Sequence, residues 1–368
     1  MPFIIQSTNA IVVFIAVFYL PLLDVKLASN YFVALSLAQF MIILVSPLSS
    51  KLLKDRHANR DITRTIAQMF FNFLLGVMTV FLLFDWNIVA LCLGLFLVFV
   101  MQVRSLSVAN RQNYHSYGFT LLRGAFPSVA ILSIGLLQLS INFLALMLCV
   151  IIIAIAFSNL NTYRSMFENS VLSIFTGIKE SIFLSVPAVL IWLSLQLPRI
   201  LIEDSSYLIT FVQGTAIPIA VFSIFESRGP YLFVDMAEGK KYPIREYMII
   251  IFVYLSSLMG SWLFIPIIAE RADAYIDFNL LFLYHFITCV ISLFFHINRS
   301  LYLELNEQKV FKAIVCSVPV VGVGTYMYYA APDLCGQEII VITYLLMLSV
   351  GIYAARDMKK KRNEKCTM

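Results

Sequence analysis

The sequence predicts an all-α polytopic membrane protein with about twelve transmembrane helices in two six-helix halves. Three observations support this fold class: the composition, the recurrence of apolar segments and the placement of the basic residues. The 368 residues are 61% hydrophobic and 13% charged, whereas soluble domains average about 45–50% apolar and about 25% charged residues. The sequence also contains no charged stretch long enough for a soluble catalytic domain, which excludes most soluble enzyme classes.

Segments of about 20 apolar residues, the length that crosses a bilayer as a helix, recur along the whole chain. In the first half the predicted spans are 4–23, 30–50, 65–84, 88–106, 117–138 and 142–158. In the second half they are 181–201, 207–226, 247–268, 277–298, 310–330 and 338–355. The first segment has neither a basic lead-in nor a small-residue cleavage site, so we interpret it as a retained helix and not as a signal peptide.

The basic residues follow the order of the predicted spans. An even number of spans puts both termini on one side, and of the 26 Lys and Arg residues only Lys26, Arg199 and Arg271 fall toward the other side. Lys and Arg are enriched in cytoplasmic connections, so both termini are predicted to be cytoplasmic, with a basic first loop at 51–64. The outer connections are all short, which argues against a glycan polymerase with a large outer loop.

The two predicted halves share patterns at equivalent positions. The sequence NRQNY at 110–114 corresponds to NRSLY at 298–302, and Leu-Pro occurs near the outer end of the first span of each half, at 20–21 and 197–198. Internal repeats of this kind are typical of transporters. The predicted organisation is a six-helix bundle at 1–160, a cytoplasmic linker at 161–180, a second six-helix bundle at 181–355 and a basic cytoplasmic tail at 356–368.

Four stretches of the sequence resemble one family of membrane proteins. They are 19–23 with 31–37, 110–123, 183–202 and 207–218. They resemble the first hairpin, the loop between spans four and five, span seven and span eight of the polysaccharide-repeat-unit (O-antigen and capsule, Wzx-type) flippases, which belong to the multidrug/oligosaccharidyl-lipid/polysaccharide exporter superfamily.

The resemblance implies a fold similar to that of the multidrug exporters and a location in the bacterial inner membrane. It implies that the protein flips an undecaprenyl-pyrophosphate-linked oligosaccharide repeat unit for surface polysaccharide assembly, by alternating access. The expected partners are this lipid-linked oligosaccharide, membrane lipids and other polysaccharide assembly proteins. A drug or metabolite exporter of the same fold is the alternative, followed by a membrane-embedded glycan polymerase or acyltransferase.

Span seven carries the first candidate binding site for such a substrate. The residues on one of its faces, spaced i, i+4, i+7 and i+11, are Trp192, Gln196, Arg199 and Glu203. An arginine within a bilayer is costly and usually faces the protein interior, where Arg199 would bind the pyrophosphate while Trp192 and Gln196 contact sugar. The alternative is that Arg199 snorkels to the outer interface or pairs with Glu203 or Asp204.

Other spans carry further candidates for substrate binding and for proton coupling. Gln39 in span two and Asn72 in span three are expected to line a hydrated cavity. Arg123, inside span five near the cytoplasmic mouth, is expected to attract the anionic headgroup of the lipid. Ordinary hydrogen bonds between helices are the alternative for the two amides, and cytoplasmic topology is the alternative for Arg123. His285 in span ten is a candidate for proton coupling because histidine titrates near neutral pH, and a hydrogen-bonded core histidine is its alternative.

The sequence lacks the motifs of the common catalytic and metal sites. It contains no nucleophile elbow, no zinc-protease helix and no Walker phosphate loop, and its 6 cysteines show no metal or redox spacing. We therefore predict that the protein is not an enzyme and holds no cofactor or metal. The net charge of +5 is explained by membrane topology, so no nucleic-acid partner is expected, and transport would be driven by an ion gradient or by the substrate gradient.

Overall fold

The computed structural model describes most of the first 159 residues and a set of shorter pieces beyond them. The described ranges are 2–42, 44–57, 62–84, 87–110 and 112–159, followed by 199–200, 208–209, 212–213, 216, 248–249, 252–253, 255–256, 259–260 and 263. The rest of the predicted second bundle lies outside the described residues, as do the linker at 161–180 and the tail at 356–368.

Seven helices make up the described part of the first half. They are α1 Pro2–Leu23, α2 Val25–Ile42, α3 Ser46–His57, α4 Thr63–Leu83, α5 Ile88–Ala109, α6 Asn113–Leu136 and α7 Asn142–Ser158. Five of them, α1 and α4 to α7, match predicted spans to within a few residues. The prediction of an all-helical chain is therefore confirmed for this part of the protein.

Several of these helices have the length and apolarity needed to cross a bilayer. Those that qualify fully are Val25–Ile42, Thr63–Leu83, Ile88–Val108 and His115–Leu136, and two shorter apolar helices accompany them, Ser7–Leu23 and Asn142–Ser158. The described part of the chain is thus consistent with a helical membrane protein. The count of twelve spans and the arrangement in two halves stay predictions.

The predicted second span, 30–50, is wrong at both ends. Its helix begins earlier, because the Asp24 carboxylate accepts a hydrogen bond from the backbone N–H of Leu27 at 2.9 Å and so caps the start of α2. It ends at Ile42, and a turn at 44–45 leads into the separate helix α3. Pro47 has no backbone N–H for the i−4 hydrogen bond that would continue α2. Ser46 and the residues after it therefore belong to α3.

The basic segment predicted as the first loop is partly helical and is attached to its neighbours. In α3, the buried Asp55 carboxylate accepts a hydrogen bond from the Thr65 hydroxyl at 2.7 Å. Arg56 donates from Nε to the side-chain oxygen of Asn110 at 3.0 Å, and Lys51 donates to Gln68 at 3.5 Å. These bonds tie α3 to the start of α4 and to the end of α5.

The direction of the helices alternates, so the bundle has two distinct ends. We call the end with the α1–α2, α4–α5 and α6–α7 connections the turn end, and the opposite end the α3 end. At the turn end, the Asn87 side chain accepts from the backbone N–H of Ala90 at 3.0 Å and caps α5. Helix α6 closes there with Gln138 in the left-handed conformation, φ 54°, and with a bond from the N–H of Leu139 to the carbonyl of Ile134 at 3.0 Å.

Helix α5 is the centre of the described bundle. It contacts α2, α3, α4, α6 and α7, and 72% of its span is buried against 33% for α6. The outer helices instead expose apolar stripes at helical spacing, such as Leu146, Val150, Ile153 and Phe157 on α7. Exposed apolar surface of this extent is unfavourable in water, whereas it matches the hydrocarbon of a bilayer.

Gly76 allows α4 to approach the backbone of α2 closely. A Cβ atom at this position would overlap the carbonyl oxygen of Met41 and would lie only 2.9 Å from its carbonyl carbon. Small residues are used in this way at the interfaces of membrane helices. The packing of α4 against α2 therefore depends on the missing side chain.

We expect the substitution Gly76→Ala to lower the free energy of unfolding by about 1–3 kcal/mol, because a backbone atom cannot move aside as a flexible side chain does. Gly118→Ala in α6 is the matched control, since a Cβ atom there meets nothing within 4 Å. Thermal unfolding in detergent measures both changes. Equal melting temperatures for wild type and Gly76→Ala would contradict the close approach of α2 and α4.

Candidate functional site

A cavity with a volume of about 210 Å³ lies between α1, α2, α5 and α6. Arg199, Val212 and Ala216 from the predicted second half contribute to its wall. Along α2 its lining extends from Tyr31 to Ile42, which corresponds to about 16 Å at a rise of 1.5 Å per residue. The cavity therefore runs along the bundle and is formed by both predicted halves.

The charged residues that the structure describes in the cavity lining are all cations. Arg104 from α5, Arg123 from α6 and Arg199 line it, and no aspartate or glutamate is among the described lining residues. The side chain of Arg199 is 7% exposed, and Arg104 and Arg199 also interact with other groups of the protein. Three guanidinium groups around one cavity attract an anion, most strongly where water is scarce.

Two amide side chains line the cavity from the α1–α2 hairpin. Asn9 lies fifteen residues before Asp24, the residue that joins the two helices, and Gln39 lies fifteen residues after it. Both are therefore about 22 Å from the turn end of the bundle. Arg104 and Arg123 lie at a similar depth, about 20–24 Å from the turn ends of α5 and α6 at the same rise per residue.

The side-chain oxygens of these two amides have no donor. Asn9 Oδ1 and Gln39 Oε1 are both buried and accept no hydrogen bond within the part of the chain that the structure describes. The hydroxyls on the α6 side of the cavity differ, because Thr120 donates to the carbonyl of Ser116 and Ser128 to that of Gly124, each at 3.0 Å. Among the described lining residues, the acceptors without a donor thus belong to α1 and α2.

The Asn9 amide lies directly against the backbone of Gly124. A Cβ atom at position 124 would overlap both Asn9 Nδ2 and Asn9 Oδ1. The Asn9 amide therefore occupies the space beside Gly124 where a side chain would lie, and a side chain at position 124 would displace the amide.

Three of the residues predicted from the sequence come together in this cavity: Gln39, Arg123 and Arg199. The burial of Arg199 disagrees with the alternative in which it snorkels to the outer interface. Glu203 and Asp204, its predicted alternative partners, lie outside the described residues. The same holds for Trp192, Gln196 and His285, whose predicted roles stay predictions.

Asn72 is the exception among the predicted residues that the structure describes. It is fully buried, does not line the cavity, and donates from Nδ2 to the carbonyl of Leu44 at 2.8 Å. The structure therefore places it in the packing between α4 and the α2–α3 turn, which was the alternative considered for it. Its predicted contact with the substrate stays a prediction.

Sequence reasoning missed Asn9. The signal that could have identified Asn9 is its amide in an otherwise apolar first span, since polar residues inside membrane helices usually face the interior. No protein-family model, curated protein or solved structure matches this chain. Function is therefore inferred from the membrane helices and from the chemistry of the cavity.

We expect Asn72→Leu to lower the free energy of unfolding by about 1–3 kcal/mol, because the Leu44 carbonyl loses a buried donor. Asn142→Leu, at the exposed first residue of α7, is the control and should leave stability nearly unchanged. Both are measured by thermal unfolding in detergent. An unchanged melting temperature for Asn72→Leu would contradict its role in packing.

Proposed function

We propose that the protein flips an undecaprenyl-pyrophosphate-linked oligosaccharide repeat unit across the bacterial inner membrane for O-antigen or capsule assembly. The observation that carries this proposal is the cavity between the membrane helices, which is lined by three arginines and, among the described residues, by no carboxylate. A pyrophosphate headgroup on a lipid is the kind of anion that reaches such a site from within the bilayer.

The cations suit a phosphorylated ligand for a specific geometric reason. A guanidinium group is always charged and donates two parallel hydrogen bonds to a phosphate. An exporter of cationic drugs needs the opposite arrangement, an acidic side chain facing the cavity. The described lining offers none, so we favour the flippase over the exporter that shares its fold.

The size of the cavity indicates which part of the substrate it holds. Pockets for drug-sized ligands measure about 300 Å³ or more, and this cavity has about 210 Å³. It suits a pyrophosphate with the sugar next to it, while the lipid tail stays in the bilayer and the outer sugars need a wider opening. Because residues of both predicted halves line the cavity, a rocking motion of one half against the other would widen it.

The distribution of basic residues orients the cavity. The positive-inside rule assigns the α3 end to the cytoplasm, and Arg104 and Arg123 lie in the half of the bundle nearer to that end. In this orientation the headgroup of a lipid-linked glycan made in the cytoplasm meets these two cations first. Loading would therefore occur from the cytoplasmic leaflet.

We expect Arg123→Ala and Arg199→Ala each to reduce flipping at least about tenfold, because a hydrogen bond to a charged group contributes about 1.5–3 kcal/mol. The measurement uses proteoliposomes with a fluorescent undecaprenyl-pyrophosphate-linked oligosaccharide, whose exposure on each leaflet is followed by chemical quenching. Arg199→Lys keeps the positive charge but cannot make bidentate hydrogen bonds to a phosphate. This variant should therefore recover only part of the flipping rate.

Arg64→Ala is the matched control, because Arg64 is exposed at the start of α4 and does not line the cavity. In cells, deletion of the gene should cause lipid-linked glycan to accumulate facing the cytoplasm. Full flipping activity in both cavity variants, or wild-type surface glycan after deletion, would refute the proposal.

A further inference from the structure

The two acceptors without a donor in the cavity require something that a phosphate does not supply. Asn9 Oδ1 and Gln39 Oε1 are buried and accept no hydrogen bond from any described residue. A buried polar atom without a partner is destabilising by about 1–3 kcal/mol. An ionised phosphate cannot relieve this, because its oxygens are acceptors themselves.

The position of the two acceptors relates them to the cations. Asn9 and Gln39 lie at equal distances along the chain from Asp24 and so at one depth in the α1–α2 hairpin. Arg104 and Arg123 lie at about the same depth on α5 and α6, and all four line the same cavity. A ligand there must combine negative charge with hydrogen-bond donors.

We propose that Asn9 and Gln39 accept hydrogen bonds from the hydroxyl or amide N–H groups of the sugar attached directly to the pyrophosphate. This inference rests on the proposed function, and it assigns to these two residues the selection of that first sugar. A site built around a donor discriminates strongly against a ligand that lacks the donor, because its buried acceptors are then left without a partner. The arginines supply affinity for every pyrophosphate lipid, whereas the two amides distinguish among them.

Gly124 acts in this scheme as a positioning residue. The Asn9 amide occupies the space that a Cβ atom at position 124 would fill. Gly124→Ala therefore displaces the Asn9 amide while leaving its chemistry intact. If the place of the amide matters, this substitution must reproduce the effect of removing the amide itself.

The test compares the affinities of two probes in nanodiscs by titration calorimetry. One probe is undecaprenyl pyrophosphate, and the other is undecaprenyl pyrophosphate carrying a single N-acetylhexosamine. The quantity of interest is the dissociation constant of the probe without sugar divided by that of the sugar-bearing probe. This ratio cancels the contribution of the phosphates, because both probes carry them. Wild type should bind the sugar-bearing probe more tightly.

We expect Asn9→Leu and Gln39→Met each to reduce this ratio by about threefold to tenfold, the equivalent of one hydrogen bond. The affinity for undecaprenyl pyrophosphate without sugar should stay within about twofold of wild type, since the proposal assigns the two amides to the sugar and the arginines to the phosphates. Gly124→Ala should lower the ratio as Asn9→Leu does. Asn9→Asp, which keeps an acceptor but adds repulsion of the phosphates, should weaken both probes and preserve the ratio.

Control variants are available at matched positions outside the cavity. Asn142→Leu and Gln138→Met change exposed residues at the turn end and should alter neither affinity. A melting temperature and a monodisperse elution profile for each variant verify the fold. Binding of the probe without sugar provides a second check that the cavity is intact.

The outcomes separate this inference from the proposed function. If the arginine variants lose both probes but the amide variants leave the ratio unchanged, the acceptors are satisfied by water and the inference is overturned while the flippase proposal stands. The inference is equally overturned if wild type shows no preference for the sugar-bearing probe. If Arg123→Ala and Arg199→Ala bind both probes like wild type, the proposed function itself fails.

Discussion

The need to satisfy polar groups inside an apolar bundle governs how this protein is built. Within a bilayer no water is at hand to replace a missing hydrogen-bond partner. Thr79, Thr120 and Ser128 meet this need locally by donating to the carbonyl four residues earlier in their own helix. Asn72 uses the Leu44 carbonyl. These hydrogen bonds are made within the scaffold.

In the cavity, two buried side-chain oxygens are not satisfied in this way. Its arginines introduce positive charge, and Asn9 and Gln39 present buried oxygens without a donor among the described residues. The arginines require negative charge in a ligand, whereas the two amide oxygens require hydrogen-bond donors. A phosphorylated sugar has both within a few ångströms, and this is the chemical reason why we propose a lipid-linked glycan as the ligand.

The scaffold around the cavity is suited to holding these groups in place. The buried helix α5 contacts five other helices. Gly76 allows α4 to pack against the backbone of α2, and Gly124 leaves space for the Asn9 amide beside α6. Arg199 reaches the same cavity from the predicted second half. A site shared by the two predicted halves is what the proposed alternating access would require.

Composition and the length of the apolar segments determined most of the helical organisation of the first half. The predicted span 142–158 has the same bounds as α7, and 88–106 falls within α5, because a long apolar run between polar turns has few other stable conformations in a membrane. The α2–α3 boundary was missed because a hydrophobicity window averages over the turn at 44–45 and over Pro47. Hydrophobicity alone carries no signal for a break in backbone hydrogen bonding.

The composition of the cavity was predictable only in part. Gln39 and Asn72 are amides in neighbouring apolar helices, and nothing in their local sequence distinguishes them. Only the tertiary structure turns Gln39 toward the arginines and Asn72 toward the Leu44 carbonyl, because the direction a side chain faces depends on which helices pack against its own. The sequence by itself determined that cations and amides lie within the membrane helices, and the packing of α1, α2, α5 and α6 decided which of them share one cavity.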